Sequence, residues 1–206
     1  MTTKRFFVLS ALLALVMVAL SGGSTSASYV PSILKASLQY GTTSLASVTS
    51  NTSTITSVDT TASYIVNDGC KASENVVFGN AYSFCRVELT NATTVTVTRN
   101  AQAGGTLTAA WHVVPMTKFF VRSIQSGTIS IATSASSGTA TLGTAVTTTR
   151  AILSNLGCTG NFDGSALPED HGINMRLTST TQVKAERVSA SAVYSVTCGY
   201  TVVDLR

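Results

Sequence analysis

At 206 residues the chain is long enough for one large domain or two small ones. Charged residues are only 11%, against roughly 25% in an average soluble protein, and the net charge is +4. That composition excludes the highly charged, weakly apolar class of disordered chains, and the charge is too small to argue for nucleic acid or an anionic membrane surface. Abundant Ser, Thr and Val predict an all-β protein.

The first element in chain order is residues 1–27. Lys4 and Arg5 make a basic start, and Phe6 to Leu20 is an apolar run interrupted only by Ser10. Thr25 and Ala27 fit the small-residue positions before a cleavage site, so cleavage is expected between Ala27 and Ser28. The run falls short of the roughly 20 residues of a membrane-spanning helix, which leaves a retained anchor as the alternative to a cleaved signal helix. Residues 28–36, "SYVPSILKA", are an N-terminal arm. Tyr29, Val30, Ile33 and Leu34 are apolar, and Pro31 opposes a helix. The arm is expected to dock on a neighbouring subunit.

The rest of the chain is written twice. "SLQYGTTSL" (37–45) resembles "SIQSGTISI" (123–131), and Gly69-Cys70 resembles Gly157-Cys158. "LTNATTVTVTR" (89–99) resembles "LTSTTQVKAER" (177–187), and "WHVVPM" (111–116) resembles "YTVVDL" (200–205). The blocks are collinear, so residues 37–116 and 122–206 are expected to be two copies of one unit, each of about six short strands. Val95 and Val97 alternate with Thr94, Thr96 and Thr98. Cys85, Val87 and Leu89 alternate likewise, with Ile173, Met175 and Leu177 as counterparts. Leu107, Ala109, Trp111 and Val113 share a face, as do Val196, Cys198, Tyr200 and Val202. Period-two alternation implies one buried face per strand, hence two tandem β-sandwich units with Trp111 and Tyr200 as core anchors. His112, beside Trp111, is expected to face solvent.

"VRSIQSGTISI", "RVELTNATTVTVTR" and the closing "WHVVPM" and "YTVVDL" resemble a repeated β-domain of tailed-bacteriophage structural proteins. The resemblance spans about 170 residues and implies a virion component of the tail or capsid surface, acting by assembly with itself or other virion subunits. It implies no active site. The signal-like start departs from that pattern and supports a rival reading: a secreted adhesin or carbohydrate-binding module for a host-surface glycan. Tyr40 and Tyr82 are the aromatics placed to serve it. The location implied is the virion or the extracellular space.

Four cysteines behind a signal suggest disulfides, and Cys70–Cys85 with Cys158–Cys198 is the favoured pairing. Their spacing matches no zinc motif. "NFDGSALPEDHG" (161–172) carries Asp163, Glu169 and Asp170, oxygen donors of the kind calcium takes, but the first copy has only Glu74 there. A duplicated ion site would be written twice, so no metal or cofactor is expected. His112 and His171 do not correspond, and no Gly-x-Ser-x-Gly elbow occurs, so no catalytic residue is assigned. Asn51-Thr-Ser and Asn91-Ala-Thr are glycosylation sequons, and Asn91 aligns with Ser179 as a turn residue.

Overall fold

The computed structural model describes residues 38–73, 84–99, 105–160, 172–188 and 194–206. The signal-like segment, the cleavage position at Ala27 and Ser28, and the arm lie outside these residues. So do Glu74, Tyr82, Asp163, Glu169, Asp170 and His171. The described residues form twelve strands: β1 (Gln39–Ala46), β2 (Ser50–Thr54), β3 (Ser63–Ala72), β4 (Cys85–Asn91), β5 (Thr94–Arg99), β6 (Thr106–Pro115), β7 (Val121–Ile131), β8 (Ser137–Thr141), β9 (Ala151–Gly160), β10 (Ile173–Ser179), β11 (Gln182–Arg187) and β12 (Val196–Leu205). The fold is all-β and sandwich-like.

The described strands make three sheets. Their strand orders are β1-β6-β3, β10-β11-β8 and β2-β5-β4-β9-β12-β7. Every pairing given a register is antiparallel. The sheet β1-β6-β3 closes over the β2-β5-β4 part of the long sheet. Leu45, Ile65, Val87, Val95, Val97, Leu107, Trp111 and Val113 meet in that core. The sheet β10-β11-β8 closes over β9-β12-β7, with Ile129, Val183, Val196, Tyr200 and Val202 inside. A third cluster of Val114, Met116, Val121 and Val203 lies where β6, β7 and β12 meet. The pleat accounts for this: a strand with apolar residues at every second position can bury one whole face.

Local devices recur six strands apart. The side-chain amide of Gln39 donates to Thr56 O and accepts from Thr56 N, and Gln125 does the same with Thr144. The hairpin β4–β5 turns where Thr93 N donates to Asn91 Oδ1, and β10–β11 turns where Thr181 N donates to Ser179 Oγ. Such short side chains hold a turn by mimicking a backbone carbonyl.

Two features depart from simple alternation. β12 is buried on both faces, because Thr201 and Val203 are covered as well as Tyr200, Val202 and Asp204. β12 sits inside the six-stranded sheet, and its outer face is covered by the third apolar cluster and by Arg86. The outward residues Thr94, Thr96 and Thr98 are half-buried, because β5 is flanked on both sides by β2 and β4.

Both disulfides are formed, Cys70–Cys85 and Cys158–Cys198. They do different work. Cys70–Cys85 ties β3 to β4 and so staples two facing sheets. Cys158–Cys198 links register partners on adjacent strands of one sheet. Ala109 stands opposite Cys70 where Cys198 stands opposite Cys158, so the first half must find its partner across the core. Disulfides of this kind fit an oxidising, extracellular compartment.

Candidate functional site

Among the described residues β3 pairs on one side only, with β6, and the stretch beyond Asn67 leaves its other edge open. β3 bends at a bulge between Asn67 and Gly69, where Gly69 has φ 124° and its N–H donates to Asn67 Oδ1 at 2.9 Å. A bulge needs one residue outside the ladder, and a positive φ there favours glycine. β9 carries the same device: Gly157 has φ 89° and its N–H donates to Asn155 Oδ1 at 2.9 Å. The two bulges have different surroundings.

At β9 the bulge is engaged. Gly157 pairs with Arg86 of β4, and a Cβ on Gly157 would collide with the Cys85 carbonyl oxygen. Asn67 Nδ2 donates to Leu156 O at 3.0 Å. Leu156, 2% exposed, is buried in the core of the first half, and Phe84 packs on the core of the second. The stem of Arg86 lies over Gly199, where a Cβ would come within 2.9 Å of Arg86 Cδ. Only a crevice of about 10 Å³ remains among Arg86, Glu88, Gly127, Leu156 and Gly199.

At β3 no described residue covers the corresponding surface. A Cβ on Gly69 would meet no atom within 4 Å. A cavity of about 650 Å³ runs along Asp68, Gly69, Lys71, Ser73, Thr108 and Ala110. Asp68 takes the place that Leu156 holds in β9, and its Oδ2 lies 2.9 Å from His112 Nδ1. His112 is partly exposed, on the outward side of β6, as the alternation with Trp111 implies.

The remaining candidates are structural in setting. Trp111 and Tyr200 are buried, and Trp111 Nε1 donates to Thr43 Oγ1 at 2.9 Å. Asn51 is exposed on β2 with Nδ2 bonded to Ser44 O. Tyr40 is 85% exposed on β1, opposite His112 in the ladder. Among the described residues no group of three or more His, Cys, Asp or Glu side chains is placed to hold a metal ion. No helix among them is long and apolar enough to cross a membrane.

Three buried charges escaped the sequence reading. Arg187 donates from Nε to Ala135 O, from Nη1 to Tyr194 O and from Nη2 to Ala132 O, at 2.7 to 2.9 Å. Arg99 bonds Val48 O and Gly105 O in the same manner. Asp204 is fully buried, accepting from Thr147 N with Arg122 at 3.6 Å. The recurrence of Arg at the end of both "LTNATTVTVTR" and "LTSTTQVKAER" was the available signal. A buried guanidinium at the end of a strand can tie down several loop carbonyls at once.

Comparison with protein-family models, with curated proteins and with solved structures found no match.

Proposed function

We propose that this is a non-enzymatic structural protein that works by assembly, made of two homologous β-sandwich units in tandem, residues 37–116 and 122–206. The order of pairing supports the duplication: β1-β6-β3 and β2-β5-β4 have the same plan as β7-β12-β9 and β8-β11-β10. Registers support it too, since Gly41 opposes Trp111 as Gly127 opposes Tyr200. The observation that carries assembly is the edge of β3, which is unpaired among the described residues. An unpaired strand beside a large cavity is a template for another strand, and an edge of the same local design is already engaged inside the chain. With 11% charged residues there is little repulsion to prevent association. The resemblance to phage structural domains makes a virion tail or capsid surface the expected setting.

Light scattering on the secreted, processed protein tests this reading, combined with antibody labelling of particles from the source culture. Masses above one chain and labelled particles support it. A monomer at every concentration, with unlabelled particles, overturns it.

Tyr40 favours the second reading, a secreted glycan-binding module, because an exposed ring beside His112 is a platform on which a sugar face stacks. Loss of glycan binding in Tyr40→Ala, with wild-type folding, would select it.

A further inference from the structure

We propose that molecules join head to tail, the β10 edge of one copy adding to the β3 edge of the next. This repeats between chains the β4–β9 joint made within each chain, and it rests on the assembly reading above. β10 and β3 are edge strands, and in the duplicated plan they correspond to β4 and β9. The internal joint therefore uses one copy of each edge and leaves its counterpart unpaired among the described residues. Gly157 is roofed by the Cys85 carbonyl, whereas no described atom would lie within 4 Å of a Cβ on Gly69. The crevice at the joint is about 10 Å³, whereas the cavity at β3 is about 650 Å³. Among the described residues the same surface is filled in one half and open in the other.

The register follows from the correspondence. Arg86 opposes Gly157, so Asn174 would oppose Gly69. The sizes compensate. The long stem of Arg86 covers Gly199, which has no Cβ; at the β3 edge the shorter, exposed Asn174 would cover Ala110, which has one. Such a contact uses different patches on the two partners. It is heterologous, so it propagates as an open chain or closes as a ring, and it does not stop at a twofold dimer.

One residue departs from the template. Asp68 stands where Leu156 anchors the internal joint. Seating a carboxylate against the second core is costly. The contact between chains is therefore weaker than the one within them, and reversible.

Sedimentation velocity over a range of concentrations tests this on the full secreted protein and two variants. Asp68→Leu restores the residue of the internal joint and should tighten association by roughly tenfold. Asn174→Asp places a second carboxylate beside Asp68 and should weaken it by a similar factor. Asn174 is exposed, so its variant should melt as the wild type does; it carries the test if Asp68→Leu misfolds. A ladder of species that shifts in these two directions supports the proposal. A ladder that both variants leave unchanged overturns the β3–β10 contact while assembly stands. A closed dimer of fixed mass overturns the head-to-tail geometry. A monomer in both the wild type and Asp68→Leu overturns the contact and the assembly reading together.

Discussion

Gly41 opposes Trp111 across the β1–β6 ladder, and the absence of a side chain at Gly41 is what lets the indole lie flat there. A Cβ at Gly41 would come within 2.8 Å of the ring. Gly127 has the same relation to Tyr200, where a Cβ would come within 2.7 Å of the phenol oxygen. Gly41→Ala should therefore displace the indole and disturb its bond to Thr43. Overpacking of this kind costs about 1–3 kcal/mol. Urea melts should find Gly41→Ala and Gly127→Ala both destabilised; stability unchanged in either would contradict the packing described.

Trp111→Ala and Tyr200→Ala remove the rings themselves. Each leaves a cavity in its own core, at about 3–5 kcal/mol. Thr96→Ala, on the outward side of β5, should cost far less. Were Thr96→Ala the worst of the three, the assignment of inward faces would be reversed.

The arginine anchors make a separate prediction. Arg187 holds three carbonyls from two loops, and hydrogen bonds to a charged donor contribute about 1.5–3 kcal/mol each. Arg187→Ala should be strongly destabilising. Arg187→Lys should rescue little, because an ammonium lacks the planar fork. Full rescue by lysine, read from thermal melts, would show that charge alone matters at this site.

Asp59 predicts an acid-side dependence. Lys118 Nζ at 2.8 Å, then the hydroxyl and N–H of Thr61, hold its pKa down to about 2 from an ordinary 3.8. A depressed carboxylate stabilises the fold while ionised. Its contribution is complete above pH 4 and lost as pH falls from about 4 to about 2. Asp59→Asn should flatten that part of the stability profile. An unchanged profile would mean that the exposed Asp59–Lys118 pair contributes nothing, as many surface pairs do.

The disulfides should differ in weight. Cys158–Cys198 closes 40 residues and Cys70–Cys85 closes 15, so chain entropy gives about 4 and about 3 kcal/mol respectively. Paired Cys→Ala variants measured by denaturant melts should show the larger loss for Cys158 and Cys198. The reverse order would point to the sheet-to-sheet staple at Cys70–Cys85 as the dominant constraint.

Much of the strand framework was legible because the alternation is strict. Val95 and Val97, or Leu107 to Val113, can only be read as one buried face. The cysteine pairing was legible because the repeat makes Cys70 and Cys158 equivalent, which favours one bridge in each half among the three possible pairings. The joint between β4 and β9 was not. It depends on Phe84, Arg86 and Leu156, which break the correspondence between the halves: Gly172, Asn174 and Asp68 stand in their places. A duplicated sequence hides an interface in the residues that differ, and matched blocks draw attention to those that agree. Burial of both faces of β12 was missed for the same reason, since it arises from contacts between the halves and period two describes only one sheet and its own core.

Hydrogen exchange of the edge strands, followed by mass spectrometry as concentration is raised, tests the account most directly. Amides of an unpaired edge exchange readily, and those of a paired strand are protected. Assembly through the proposed contact predicts that protection rises together at residues 67–71 and 173–176, with β1 and β7 unchanged. Assembly with no gain at either segment would contradict it.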